Sequence, residues 1–346
     1  MYNSIRPGQV WLDTDGNRIQ AHGGSVFYKN GVYYWYGENK EKTVSDKSPW
    51  HWGVRMYSSS DLYNWKSEGI ICDPVTDDEN HPMNPYTLMM DRPHILYNDS
   101  TKKYVMWLKI MNKNNTQKMA VAVCDTINGK YEVINYFHPL DMNSGDFDLV
   151  KNPTDGKAYF YFERVHSELI CADLTSDYTG VTGYYSTHFP HPTPPFVREA
   201  PACFNRNGKH YMFTSGTTGY FPNRSEVASA DCFHGPWTVL GDPHVDDKYH
   251  TSFHSQITSV FKHPHIDDLY IALADRWLVD IPDVVIDIDQ LYIDLCEGSE
   301  KSAPALEKVL SLSVQNTSIA DYVWLPVKFK ENGTPYIEWV DEWTVQ

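Results

Sequence analysis

The chain repeats one pattern of apolar and polar positions five times: a polar residue, an alternating apolar strand, a tight turn, then a second strand carrying Tyr. The copies run from His22-Gly23-Gly24-Ser25-Val26-Phe27-Tyr28 to Tyr34-Trp35-Tyr36, and from Asp91-Arg92-Pro93-His94 to Tyr104-Val105-Met106-Trp107. The next run from Asp146-Phe147-Asp148-Leu149-Val150 to Tyr159-Phe160-Tyr161-Phe162, and from Glu199-Ala200-Pro201-Ala202 to Tyr211-Met212-Phe213. The last runs from Gln256-Ile257-Thr258-Ser259 to Tyr270-Ile271-Ala272-Leu273. Between the paired strands lie Asn30-Gly31, Asp99-Ser100, Asp155-Gly156, Asn207-Gly208 and Asp267-Asp268, residue types that turn hairpins. The leading polar residue precedes its Tyr by 12, 13, 13, 12 and 14 positions, so the register is kept. A second motif, Ser60-Asp61-Leu62-Tyr63-Asn64-Trp65, recurs in looser form around Asp125, Asp173 and Asp231 after further apolar runs. Each repeat therefore holds about four strands.

Units of this kind cannot bury their faces alone, and five of them closing on one another predict an all-β fold, a five-bladed β-propeller. One domain over residues 1–346 is expected. Val10-Trp11-Leu12 and Tyr336-Ile337-Glu338-Trp339-Val340 both read as strands that could pair in one blade. Residues 278–320 break the pattern, with partly helical stretches at 287–291 and 303–312, and read as an insertion in or beside the last blade.

Composition narrows the function. Lys and Arg number 29 against 45 Asp and Glu, a net charge of -16 that repels phosphate backbones and anionic lipid. Nucleic-acid and membrane partners are not expected, and no run approaches the roughly 20 apolar residues of a membrane span. The first residues carry no apolar signal-peptide core, so a cytoplasmic location is expected for the chain as it stands. The 6 cysteines lie far apart with no C-x-x-C pair, which reads as reduced, mostly buried thiols. His263-Pro264-His265 lies at a turn and reads as a solvated loop, so neither a metal site nor a cofactor is expected. Aromatics reach 14%, with 24 Tyr and 11 Trp, which suits strands and the stacking of sugar rings.

In a propeller the innermost strands start around one axis, so His22, Asp91, Asp146, Glu199 and Gln256 should converge. Carboxylates meeting in an aromatic-lined funnel suit glycoside hydrolysis, which needs one protonated acid and one group that activates water. Neighbouring like charges push one carboxyl's pKa up and keep it protonated. Taken alone, Glu199 could be a strand-start partner of Arg198, and Asp91 an ion-pair partner of Arg92.

The order of motifs resembles glycoside hydrolase family 43. Asp13-Thr14-Asp15-Gly16-Asn17-Arg18, Ala21-His22-Gly23-Gly24, Tyr34-Trp35-Tyr36-Gly37-Glu38, Arg198-Glu199-Ala200-Pro201-Ala202 and Tyr322-Val323-Trp324-Leu325-Pro326 look like its exo-β-1,3-galactanase branch. The resemblance spans about residues 5–277 and 321–345. It implies an inverting exo-glycosidase in which Glu199 is the acid, Asp91 raises the pKa of that acid, and Gln256, in Ser255-Gln256, orients the water. Asp146 and Glu163 are rival bases, because an amide in its usual form takes no proton. Glu38, Asp146, Glu163, His22 and Gly24, the Thr217-Thr218-Gly219-Tyr220 stretch and Trp277 are the expected sugar contacts, and Trp35 and Tyr36 are further candidate stacking platforms. Where the branch usually has Glu in the second-blade motif this chain has Asp91. Glu163-Arg164-Val165-His166 and the 278–320 insertion also depart from it. Related branches act on α-L-arabinofuranosides or β-D-galactofuranosides, and a propeller that binds sugar without cleaving it is a third reading.

Overall fold

In the computed structural model, which describes residues 1–191, 196–280 and 316–346, the strands form five sheets arranged as a five-bladed β-propeller. Among these residues there is no α-helix, and no helix long and apolar enough to cross a membrane. The first blade contains β1 (His22–Lys29), β2 (Val32–Glu38), β3 (Val54–Ser59) and β4 (Lys66–Cys72). The second contains β5 (Leu88–Asn98), β6 (Lys103–Asn112), β7 (Gln117–Cys124) and β8 (Glu132–Phe137). The third contains β9 (Ser144–Lys151), β10 (Ala158–Arg164), β11 (Glu168–Leu174) and β12 (Val181–His188). The fourth contains β13 (Arg198–Arg206), β14 (Lys209–Gly216), β15 (Glu226–Ala230) and β16 (Thr238–Gly241). The fifth is edged by β17 (His244–Val245) and built from β18 (Gln256–Lys262), β19 (Tyr270–Arg276), β20 (Asp321–Phe329) and β21 (Pro335–Glu338).

Both faces of each blade are apolar, so the core is divided among the five wedges between blades. Met56, Met106 and Leu108 fill the first wedge, Trp107, Phe147 and Phe160 the second, Tyr161 and Met212 the third, and Phe213, Tyr270 and Leu325 the fourth. The fifth wedge closes the ring with Trp35, Trp65 and Trp324, joined by Ile5 and Trp11 from the N-terminal segment. Trp35 and Tyr36 are each 2% exposed, so they are wedge packing rather than sugar platforms.

Closure differs from the strand pairing expected of the two ends. Val10-Trp11-Leu12 forms no strand in the last blade. Trp11 turns its ring into the wedge, and the termini meet instead through an Ile5–Trp343 bridge with Arg6 and Ser4 bonded to Glu342. The edge partner of β21 is β17, which runs parallel to it. Residues 278–320 fall in the connection between β19 and β20. The helical stretches expected at 287–291 and 303–312 lie outside the described residues, as does Cys296. Cys72 and Cys171 are buried free thiols, whereas Cys232 is exposed.

Each innermost strand is irregular beside its polar residue. The register shifts between His22 and Ser25, Asp91 and His94, Glu199 and Ala202, and Ile257 and Ser259, and the β9–β10 pairing shifts between Phe162 and Arg164. Such bulges bend a strand and re-aim one side chain. Here they turn the polar residues toward the axis. Arg92 and Ala200, directly after Asp91 and Glu199, take φ of 50°, a conformation costing an L-residue about 1–3 kcal/mol.

Candidate active site

The polar ends of the innermost strands surround a cavity of about 230 Å³ at one mouth of the ring. Eight of the sequence-predicted residues line it: Glu38, Asp91, Asp146, Glu199, Gly219, Tyr220, Gln256 and Trp277. His22, Gly24, Glu163 and Thr218 do not. His22 has no exposed surface, and its ring lies flat on Tyr322 at 4.8 Å with Nδ1 2.9 Å from Asp275 Oδ1. Gly24 sits where a Cβ would fall 1.9 Å from the Tyr36 carbonyl oxygen, so its role is the close approach of β1 and β2. Thr218 holds the loop before β15, donating to the Phe221 carbonyl at 2.6 Å and accepting from Asn223 Nδ2 at 2.7 Å. Glu163 lies behind the wall, accepting from the His166 backbone N–H at 2.7 Å.

Among the described residues three cations stand beside the carboxylates, and of these the sequence points only to Arg92, as a neighbour of Asp91. Arg92 bonds Asp146 Oδ2 through Nε at 2.7 Å and the Gln256 amide oxygen through Nη2 at 2.5 Å. Its partner is therefore Asp146 in the next blade, not the adjacent Asp91. Lys109 Nζ lies 2.8 Å from Asp146 Oδ1 and 3.5 Å from Asp91 Oδ2. Lys40, with no exposed surface, lies 3.0 Å from Glu38 Oε2 and 3.9 Å from Asp91 Oδ1. Its ammonium also donates to the Trp50 carbonyl and sits 4.5 Å from the Trp50 ring centre. Trp50, also unforeseen, donates its indole N–H to Asp91 Oδ1 at 2.7 Å and stacks on Tyr220. Tyr220 in turn packs on Trp277.

These neighbours set the charge states. Burial would raise the Asp146 carboxyl, but Arg92 and Lys109 overcome it and hold the group below the usual range, ionised. Glu38 is pushed up to about 7, by burial first and then by Asp91, with Lys40 opposing. Among the described residues Glu199 has no cation in bonding contact. Burial raises it well above the ordinary carboxylate range, and the charges of Asp146 and Glu163 raise it further against Lys109 and Arg92. The three cations match Glu38, Asp91 and Asp146, and Glu199 remains as the odd carboxyl, which keeps its proton.

The Gln256 amide is oriented by its partners. Arg92 only donates, so the Gln256 oxygen faces it. Nε2 then donates to Ser215 Oγ at 2.8 Å and to Glu199 Oε1 at 3.2 Å. Because Glu199 Oε1 accepts, the carboxyl proton belongs on Oε2 and is free to be donated. Among the described residues no cluster of His, Cys, Asp and Glu is arranged to hold a metal ion.

A model of the glycosyl hydrolases family 43 matches residues 19–268. Among solved structures, a family-43 β-1,3-galactosidase is 30% identical, with a TM-score of 0.80 over 99% of this chain and 64% of its own. A second family-43 β-1,3-galactosidase, solved with galactodeoxynojirimycin, is 29% identical, with a TM-score of 0.79 over 99% of this chain and 100% of its own. An exo-β-1,3-galactanase from Phanerochaete chrysosporium, solved with β-1,3-galactotriose, is 25% identical, with a TM-score of 0.78 over 99% of this chain and 69% of its own. This chain thus spans 64% of the length of the first and all of the second. No curated protein matches it.

Proposed function

The chain belongs to glycosyl hydrolase family 43, and from that premise we propose that it is an inverting exo-β-1,3-galactosidase, releasing terminal galactose from β-1,3-galactan or galacto-oligosaccharides. The observation that carries this is Glu199, which among the described residues has no cation in bonding contact while the other carboxylates lining the cavity are matched, so that burial and its neighbours favour its protonated form. Glu199 Oε2 donates its proton to the glycosidic oxygen as the bond breaks. Asp91, Asp146 and Glu38 offer fixed acceptors for sugar hydroxyls, and Gln256 places a water for attack on the anomeric carbon. The Trp50, Tyr220 and Trp277 faces supply stacking surface for the ring. A volume of about 230 Å³ is smaller than the about 300–1,000 Å³ of drug-sized ligand sites, and so suits one sugar ring at a chain end.

A propeller that only binds sugar has no use for an acid held protonated beside a matched charge cluster. Arabinofuranoside and galactofuranoside cleavage are the rivals within the fold, and three solved structures similar to this one are named for β-1,3-galactosidase or β-1,3-galactanase activity. The test is NMR on β-1,3-galactobiose and longer β-1,3-galacto-oligosaccharides. The expected outcome is galactose alone, formed first as the α-anomer. Disaccharide among the first products, β-galactose first, or cleavage of an arabinofuranoside with the galactosides untouched would overturn the proposal.

A further inference from the structure

Inverting hydrolysis makes one proton acceptor indispensable, because the attacking water must lose a proton as its oxygen bonds to carbon. Apart from the acid Glu199, the carboxylates lining the sugar cavity are each paired with a Lys or Arg cation: Asp146 with Arg92 and Lys109, Asp91 with Lys109, and Glu38 with Lys40. Behind the wall, Glu163 is engaged by His166. Gln256 holds a water but cannot take its proton. One further carboxylate stands directly behind Gln256. Asp275, on β19, is the antiparallel register partner of Gln256, so both side chains leave the same face of the sheet. It is 2% exposed, held by His22 Nδ1 at 2.9 Å and by the Gly23 N–H at 2.8 Å.

Gln256 and Asp275 both line a second, small cavity of about 10 Å³, also bordered by Ser215 and His254. That is room for about one water, with polar partners on several sides. It shares Gly219, Tyr220, Gln256 and Trp277 with the sugar cavity, so the two adjoin at Gln256.

We propose that Asp275 is the proton acceptor of the reaction, acting through one water held in this small cavity, which it lines together with Gln256. The inference rests on the inverting reading of the site and adds the group that reading lacks. As the attacking water's oxygen bonds to the anomeric carbon, one of its protons passes to the held water, and a proton of the held water passes to the Asp275 carboxylate. Glu199 gives its proton to the departing oxygen. The pair ends as ionised Glu199 and protonated Asp275, with His22 and the Gly23 N–H keeping the acceptor in place. Asp275 never touches the sugar, and is a positioning residue with respect to it.

The test is Asp275→Asn, which keeps the shape and the ability to accept from Gly23, assayed on 2,4-dinitrophenyl β-galactoside with and without sodium azide. Azide attacks carbon with no proton to lose. The variant should lose about 100-fold or more in kcat, with KM within about threefold. Azide should restore turnover, with α-galactosyl azide as the product. A kcat like that of wild type, or a loss that azide does not restore in a folded variant, overturns the proposal. If Asp275→Asn does not fold, a proton inventory of kcat for the wild type on 2,4-dinitrophenyl β-galactoside gives the same reading: a bowed curve, from two protons moving together through a held water, supports the proposal, and a straight line overturns it. Release of α-galactose from β-1,3-galactobiose by wild type tests the inverting reading separately, so failure of one is distinguishable from failure of the other.

Discussion

Glu199→Gln isolates the proton that the site is built to keep. Gln has nearly the same shape, and its side-chain oxygen can accept from Gln256 Nε2 as Glu199 Oε1 does now at 3.2 Å, so the wall stays in place. What disappears is the proton on Oε2. General acid catalysis contributes about 10²–10⁴-fold, or about 3–5 kcal/mol of barrier, where the leaving oxygen is a poor one. On β-1,3-galactobiose the variant should therefore lose about that factor in kcat. On 2,4-dinitrophenyl β-galactoside, whose leaving group needs no proton, the loss should shrink to about tenfold or less. In the wild type, kcat/KM falls as pH rises through the raised Glu199 pKa, because the acid is then ionised. The variant should lack that limb. The stability sign also follows. A carboxyl whose folded pKa lies above its unfolded 4.5 loses stability as pH rises from that unfolded value toward the folded one. At pH 7 the Gln variant should melt no lower than wild type, and its advantage should grow as pH rises through that window. Equal losses on both substrates, or a basic limb that survives the substitution, would remove Glu199 from the role of acid.

Lys109→Met removes the cation shared by Asp91 and Asp146, and breaking a buried ion pair costs roughly 3–5 kcal/mol. Its melting temperature should fall by several degrees, and the basic limb of kcat/KM should move to higher pH because Lys109 now lowers the Glu199 pKa. An unchanged melting point would contradict the charge matching. Trp50→Phe keeps an aromatic face against Lys40 and Tyr220 but deletes the 2.7 Å bond to Asp91, a charged hydrogen bond worth about 1.5–3 kcal/mol. The melting temperature should therefore fall by a few degrees, and steady-state kinetics should show a lower kcat/KM because Asp91 loses the bond that fixes it in the cavity; an unchanged melting temperature would refute the reasoning. Gly24→Ala would set its Cβ 1.9 Å from the Tyr36 oxygen and 2.8 Å from Gly37 Cα, backbone that cannot step aside. Little soluble protein is expected, and a variant melting like wild type would show that β1 can shift.

The ring was legible because its unit is short and repeated: each innermost strand announces itself by a polar residue about thirteen positions before a Tyr. Four of those five polar residues, Asp91, Asp146, Glu199 and Gln256, reach the cavity. The fifth, His22, shares their register but turns onto Tyr322 and Asp275. The cations were harder to find. Lys109 did leave a trace, a lone charge inside the apolar run Tyr104-Val105-Met106-Trp107-Leu108-Lys109-Ile110, and it is the register partner of Asp91. Lys40 and Trp50 left none, since they stand in an irregular loop between β2 and β3 with no periodicity to read. The sequence offers Arg92 only as a neighbour of Asp91, and its reach to Asp146 has a physical cause. Adjacent residues on a regular strand point to opposite faces, and only the bulge after Asp91 turns the Arg92 side chain along the axis to Asp146.

The bulges do more than aim side chains. A bulge frees a backbone N–H from the ladder, and a buried free N–H must find an acceptor. In two places the acceptor is a carboxylate of the preceding blade, and a third N–H, on the free edge of β13 just past its bulge, is met in the same way. Glu38 of the first blade accepts from the Arg92 N–H of the second at 2.9 Å. Asp148 of the third accepts from the Cys203 N–H of the fourth at 2.7 Å. Asp275 of the fifth accepts from the Gly23 N–H of the first at 2.8 Å. The direction is the same each time, so successive blades are tied near the axis by charge-assisted bonds, while the apolar wedges hold them farther out. This gives Glu38 and Asp275 a structural task beside the chemical one, and accounts for Asp148, which the reaction does not use. It also explains why the strain at Arg92 is tolerated: the φ that turns it toward Asp146 is the same φ that aims its N–H at Glu38. The site and the ring's inner seam are made from the same irregularities, so a substitution that straightens a bulge should cost activity and ring stability together.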